Sequence, residues 1–475
     1  MNQIIADVGY YETRAAVMEN GRLTELHFER RKQSSLVNNI YAGKIVNMMP
    51  GLQTIFVDIG YEKNVFLYKD QLTVPFETLQ PGDSIMIQIT KDAMNDKGPK
   101  ATMSLSLPGK YVVMLPLTHH VGVSNKIADS QERVRLKEWA ETLDTSTHGI
   151  IMRTESKNQS AETLLKDWQY LVSIWGQIIE KQHHVPKGTP LYREHALLPR
   201  LLRDAANRET TLFLVNDGDE AATLRHLCRQ TMPDHSLVIE EAQAGTNPFI
   251  DYHVDAEWQR AMNRTIHLSS GGSLVIYHTE ALTTIDINTG KFQGGRSFQE
   301  SARDINLEAA IEIARQLRLR DIGGIIIIDF IDMKKQENQQ LVVQELKRAL
   351  EKDRQKTVVL GMTRLGLVEM TRKRTREKVD TLFNDICICC NGTGTTPSIY
   401  WSMYEIESTF RRLEMQPAVT GVQLRMNPMR HQQFIDAGID LKALAARYLL
   451  TLTMINSPEI PVDQHELMGI AKGKQ

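Results

Sequence analysis

Asp286, Asn288 and Asp329 are the residues of this chain best suited to metal-assisted chemistry. In TEALTTIDINTGKF, Ile285 and Ile287 alternate with Thr284, Asp286 and Asn288, which is the period of a strand. Asp286 and Asn288 therefore share a face. Asp329 closes the run GGIIIID, where Ile325 to Ile328 form an unbroken apolar stretch that predicts a strand buried on both faces. Between the two runs, Leu307, Ala310, Ile311, Ala314 and Leu317 recur at helical spacing, and Gly323-Gly324 ends the helix. Strand, helix, strand is a crossover unit, normally parallel and right-handed. With the strands adjacent, the three polar side chains converge at one edge of the sheet, where open α/β sheets usually place their sites. Two carboxylates and an amide suit Mg²⁺, a hard cation satisfied by oxygen ligands and water. Acids at strand ends also cap loops or stay solvated, and spacing alone leaves both readings open.

Other groups of residues carry weaker signals. Strand-like runs at 39–48, 53–59, 64–68, 84–90 and 101–107 alternate with glycine turns and suggest a small OB-type barrel. Phe56, Tyr61 and Phe66 lie within it, with Lys44, Lys97 and Lys100 nearby. Aromatic faces stack on bases and lysines neutralise phosphates, although aromatics in a small barrel also serve as core. GIIMRTES reads as a buried strand ending in Arg153-Thr154, whose fork of donors and hydroxyl could grip a terminal phosphate. TRLGLVEMTRKRTREK carries Arg364, Arg372, Lys373, Arg374, Arg376 and Lys378, a solvated face or a phosphate-binding rim. Cys387-Ile388-Cys389-Cys390-Asn391-Gly392-Thr393-Gly394 is a C-x-x-C-x-G-x-G knuckle. One such pair supplies two thiolates where structural zinc needs four ligands, so a second chain could complete the site across a two-fold axis. A redox pair is the rival reading, but it lacks a thioredoxin-like context. Asp7 has no second acid nearby and reads as structural, and the pairs His119-His120 and His183-His184 read as surface.

These sites sit in a chain of 475 residues, long enough for about three domains. Hydrophobic content of 41% and charged content of 24% are ordinary for a globular protein. Net charge is −2, so any nucleic-acid binding must rest on local patches. Four cysteines are too few for a disulfide framework and suit a reducing cytoplasm. No signal-peptide pattern, apolar run of membrane-spanning length or G-x-x-x-x-G-K-[ST] loop is present, which argues against secretion, a membrane helix and NTP hydrolysis. Residues 1–36 read as three short strands that need partners elsewhere, and the helix-strand-helix-strand pattern of 195–270 could supply them. The end, AKGKQ, reads as weakly ordered.

IYAGKIVNMMPGLQTIFVDIGYEKNVFL, TEALTTIDINTGKF, NLEAAIEIARQLRLRDIGGIIIIDFIDM and CICCNGTG resemble the motifs of the ribonuclease E/G family, in that family's order. The chain lacks a long scaffold tail and is similar to the family's short form. The resemblance implies a multidomain α/β fold. An RNase H-like subdomain (1–36 and 195–270) would be split by an S1-type OB barrel (37–107) and a 5′-sensor region (108–194). A DNase I-like α/β catalytic subdomain (271–380), a zinc link (381–396) and a small C-terminal domain (397–475) would follow. It further implies a Mg²⁺-dependent endoribonuclease of single-stranded RNA, acting in rRNA processing and mRNA decay and leaving 5′-phosphate and 3′-hydroxyl ends. Asp286 and Asp329 would hold Mg²⁺ and Asn288 would orient the phosphate. Phe56, Phe66 and Lys97 would clamp the strand. Gly109, Val113, Arg153 and Thr154 would sense a 5′-monophosphate, with Asn125-Lys126 in place of the family's usual basic pair. Cys387 and Cys390 would share Zn²⁺ with a second protomer in a homodimer, which could pair again as a dimer of dimers. Ile388 replaces the usual proline, and Cys389 is an extra thiol. A non-catalytic RNA-binding assembly factor and a Mg²⁺-dependent phosphodiesterase of another nucleic acid are the alternatives.

Overall fold

The computed structural model describes residues 2–30, 35–93, 97–143, 148–184, 188–290, 298–374, 378–379, 383–385, 387, 389–390, 392 and 394–471. Arg376 and residues 472–475 lie outside the described residues, as do the side chains of His183 and His184. Residues 1–380 and 381–475 form two compact units, each described by itself.

The N-terminal strands Asn2–Val8, Glu12–Glu19 and Arg22–Arg30 form an antiparallel meander. The first pairs in parallel with Thr210–Val215, which pairs in parallel with Val238–Glu241. The two separated segments thus build one five-stranded sheet, the pairing that their strand patterns left open. Asp7 accepts a hydrogen bond from Asn216 Nδ2 at 2.7 Å across this join.

The segment inserted between them contains two further sheets. Ile40–Met49, Thr54–Asp58, Val65–Tyr68, Lys100–Thr102 and Ser84–Lys91 close into a five-stranded barrel, because the first strand pairs with both the second and the last. Its interior is Ile45, Ile55, Val57, Val65, Leu67, Ile87 and Ile89, the inward residues of alternating strands. The run 101–107 is not one strand. The chain leaves the barrel after Thr102 and re-forms a strand only at Leu107–Pro108, in another sheet. Gln88 fixes the bend, accepting from Ser106 N and donating to Ser106 O. That second sheet joins Leu107–Pro108, Val112–Leu115, Gly149–Met152 and Val121–Val123.

The acids occupy a six-stranded sheet, in which Leu282–Asn288 and Gly324–Asp329 are parallel neighbours. The helix Phe298–Leu319 connects them and covers one face, together with Gln336–Leu350. Its buried stripe is Ala302, Ile305, Ala309, Ala310, Ile313, Ala314 and Leu317, while Ile311 is 46% exposed. The Asp329 strand is also buried on one face only. Ile326 and Ile328 are inaccessible, but Ile325 is 50% exposed, since among the described residues no helix covers the other side. In the second unit, Val419–Met426, Thr451–Asn456 and His465–Ala471 form a three-stranded sheet with helices around Phe410, Leu424 and Phe434. Among the described residues no helix is long and apolar enough to cross a membrane.

Candidate functional site

Register brings the acids together. In the parallel pair, Leu282 lies opposite Ile325 and Asp286 opposite Asp329. Thr283, Ile285 and Ile287 point into the core, so Asp286 and Asn288 are left on the uncovered face beside Asp329. Asn288 Nδ2 donates to Asp286 Oδ2 at 2.8 Å and fixes that carboxylate's orientation. Partial burial and the neighbouring Asp286 and Asp332 hold the Asp329 carboxyl above its ordinary range. Two anions held this close, with nothing cationic among the causes of the shift, are what a divalent cation would neutralise. Among the described residues no group of three or more His, Cys, Asp or Glu side chains gathers at ligand spacing. A pair of carboxylates still fits Mg²⁺, which keeps several waters and needs only one or two protein carboxylates.

The basic run divides between the two ends of this sheet. Leu367 pairs with Asp329, so the hairpin turn carrying Arg364 stands at the acidic end. Arg372 pairs with Gly324 at the far end. It is not part of a phosphate-binding rim. Arg372 is buried, with Nε 2.6 Å from Asp353 Oδ2 and Nη1 2.7 Å from Asp321 Oδ1. Val368, Met370 and Arg372 are the inward residues of one strand, and that period of two sends the guanidinium inward. Arg374 donates to Gly323 O at 2.9 Å and is likewise tied to the sheet.

On the barrel, Phe56 and Phe66 are cross-strand partners with ring centroids 4.9 Å apart. Both alternate with fully buried residues and so face outward. Lys97 is exposed, and the adjoining Gly98 lies under Phe66, where a Cβ would come within 3.2 Å of the ring. Lys100 and Tyr68, which pattern reading passed over as a pair, add a cation–π contact of 4.8 Å on the same strands.

Gly109, Arg153 and Thr154 also come together. Arg153 donates to Gly109 O and, at 2.8 Å, to Asp204 Oδ1. Thr154 Oγ1 lies 3.0 Å from Ser124 Oγ, and Val113 pairs with Ile151 in the same sheet. Asp167 orders the loop that carries Gly109. Its buried carboxylate accepts the backbone N–H groups of Lys110, Tyr111 and Val112 at 3.1, 2.7 and 3.0 Å. A Cβ on residue 109 would lie 2.6 Å from that carboxylate, so only glycine fits there. Lys126, instead of facing the pocket, donates to Asp353 O at 2.7 Å and to Arg354 O at 3.3 Å.

A sequence profile described as the Ribonuclease E/G family matches residues 106–375. The chain belongs to the ribonuclease E/G family. It is 38% identical over 422 residues to ribonuclease G of Salmonella typhimurium (strain SL1344), covering 85% of this chain and 86% of that protein. It is 38% identical over 424 residues to ribonuclease G of Haemophilus influenzae, with the same coverage. To ribonuclease E of Escherichia coli (strain K12) it is 33% identical over 400 residues, covering 81% of this chain but 38% of that protein.

The cysteine knuckle lies in the second unit. Cys387 and Cys389 are exposed and Cys390 is partly covered. Backbone N–H groups of Cys390 and Cys389 aimed at the Cys387 sulfur lower its pKa, and Gly394 N donates to Cys390 Sγ at 3.3 Å. The lowered pKa favours the thiolate at Cys387, the form in which cysteine binds metal. Two residues escaped sequence reading altogether. Asn306 and Glu308, inside an apolar helical run, bond to the loops on either side of the acids.

Proposed function

We propose that the Asp286–Asp329 centre cleaves single-stranded RNA internally with the help of Mg²⁺. The protein is an endoribonuclease of its family, and the observation that carries the mechanism is the in-register pair of carboxylates on an uncovered sheet face. Asp286 and Asp329 would hold the ion. When bound, Mg²⁺ supplies a Lewis acid for the scissile phosphate and a water of lowered pKa. Asn288 spends one Nδ2 hydrogen on Asp286 and has a second with which to orient a phosphate oxygen. Arg364, at the same end of the sheet, is placed to meet the backbone of the strand. The products would carry 5′-phosphate and 3′-hydroxyl ends.

The outward Phe56–Phe66 pair with Lys97 supports a clamp for unpaired bases, and with it the reading of 37–107 as an S1-type module. Gly109, Val113, Arg153 and Thr154 in 108–194 would sense a 5′-monophosphate. The sheet joining 1–36 to 195–270 supports an RNase H-like subdomain, and the acidic sheet supports a DNase I-like subdomain at 271–380. Cys387 and Cys390, in a link at 381–396, would contribute two of four Zn²⁺ ligands, a second protomer contributing the others. The small C-terminal domain would span 397–475. A role in rRNA processing and mRNA decay fits the family, and we read that role as a cytoplasmic one. The test sets an RNA oligomer beside its DNA counterpart, with Asp286→Asn and Phe66→Ala. RNA alone should be cut, Asp286→Asn should abolish the cut with binding intact, and Phe66→Ala should weaken binding by about 1–3 kcal/mol. Equal cleavage of DNA, or an active Asp286→Asn, would overturn the reading.

A further inference from the structure

Asn306 is fully buried in the helix Phe298–Leu319, on the stripe that packs against the acidic sheet. Its carboxamide Nδ2 donates to Ile331 O at 2.8 Å, and its Oδ1 accepts from Ile331 N at 3.0 Å. Both backbone polar groups of Ile331 are thereby paired as a neighbouring strand would pair them. The place matters, because the Asp329 strand ends at Asp329 itself. Beyond that residue the sheet ladder no longer holds the chain, and Asn306 takes over two residues later. Gln299 continues the support, accepting from Lys334 N at 2.8 Å and donating to Asp332 O at 3.5 Å. Both supports are neutral amides. They satisfy backbone groups without adding charge next to two carboxylates that already repel one another.

We propose that Asn306 is a positioning residue for the cleavage reaction, holding the chain just beyond Asp329 so that its carboxylate stays aligned with Asp286. The proposal rests on the cation reading of that pair. Mg²⁺ tolerates little departure from octahedral geometry, so a small drift of one carboxylate weakens binding and slows the chemistry more than it weakens RNA binding.

Asn306→Leu keeps the volume and removes both bonds; Gln299→Ala removes the outer support at a half-buried position and spares the core. The full-length protein is assayed for kcat and KM on a single-stranded RNA oligomer across Mg²⁺ concentrations. Mn²⁺ binding is read separately by electron paramagnetic resonance, and melting is recorded. For Asn306→Leu, kcat should fall about 10–100-fold and the half-saturating Mn²⁺ concentration should rise about 5-fold or more, as for lost supports of metal ligands. KM should stay within about 2-fold, and excess Mg²⁺ should restore part of kcat. Unchanged Mn²⁺ affinity and kcat per folded molecule, with only a lower melting point, would reduce Asn306 to a structural role. If Asn306→Leu does not fold, Gln299→Ala decides: weakened Mn²⁺ binding supports the proposal and unchanged binding overturns it. A wild type that binds no Mn²⁺ and cuts RNA in chelator overturns the cation reading and this proposal with it. A Mn²⁺-binding wild type with insensitive variants overturns this proposal alone.

Discussion

Asp286 and Asp329 stand directly opposite each other on adjacent parallel strands. Strand spacing of about 4.8 Å places two like charges side by side at a surface where water screens them only in part. Asp329 responds with a carboxyl held above its ordinary value of 3.8, through partial burial first and Asp286 second.

The sign of the resulting pH effect follows from proton binding. Between 3.8 and its raised value, the folded state of Asp329 holds more proton than the unfolded state. Metal-free stability should therefore fall as pH rises through that window. Asp329→Asn removes the loss, so above the window the variant should melt at a higher temperature than the wild type in chelator. Its cleavage should drop by more than about 100-fold if Asp329 is the metal ligand proposed above. Adding Mg²⁺ should raise the wild type's melting point and leave the variant's nearly unchanged. Melting curves at several pH values, with and without Mg²⁺, test all three; a variant less stable than wild type in chelator would contradict the repulsion.

Arg153 is already committed to Asp204 and Gly109 O. Asp204 also pairs with Arg203, and the two cations hold its carboxyl far below the carboxylate range, against its burial. A terminal phosphate bound there, as proposed, would have to compete with an anion for Arg153. Arg153→Ala should slow cleavage of 5′-monophosphorylated RNA by about 10-fold, the loss of one charge-assisted contact, and leave 5′-hydroxyl RNA nearly unaffected. Rates on the paired substrates decide; equal slowing of both would assign Arg153 to the fold alone.

Lys110 lies inside the same pocket wall. Its ammonium is fully buried and donates to Arg203 O at 3.0 Å and to Ala206 O, at the end of the helix Leu197–Asp204. Burial brings its pKa down from 10.5 to about 8. The unfolded chain thus holds the proton more tightly between those values, so stability should increase as pH rises from about 8 toward 10.5. The full swing is about 3 kcal/mol by linkage. Lys110→Met should flatten that rise. Urea midpoints at pH 7.5 and 9.5 measure the difference, and an unchanged slope in the variant would assign the titration elsewhere.

Much of the acidic centre was legible because a strand's period is rigid. Ile285 and Ile287 had to enter the core, which left Asp286 and Asn288 on one face. What pattern could not show was how many faces each element covers. Ile325 looks like core by composition, yet it is half exposed, with no helix over its side of the sheet among the described residues. Ile311 fits a helical repeat, but the buried stripe runs through Ile305, Ala309 and Ile313 instead. Arg372 misled through its neighbours: five other basic residues surround it, while its partners Asp353 and Asp321 lie 19 and 51 positions away. The inward period of Val368 and Met370 was the available clue. Asn306 carried no signal, since a single amide in an apolar helical run resembles a tolerated defect until its partner loop is known.

The cysteine knuckle gives the last prediction. Backbone N–H groups directed at the Cys387 sulfur lower its pKa and favour the thiolate, whereas local desolvation and the neighbouring Cys387 hold the exposed Cys389 thiol above its ordinary value. Cys389 is therefore a poorer ligand than Cys387. A tetrahedral structural zinc site needs four ligands, and this pair supplies two. If a second copy supplies the rest, zinc content should be half an ion per chain, and binding of the ion should drive association. A chelator should then halve the mass seen by light scattering, and Cys387→Ser or Cys390→Ser should do the same. Cys389→Ser should leave both zinc content and mass nearly unchanged. One zinc per chain in a stable monomer would rule out the shared site.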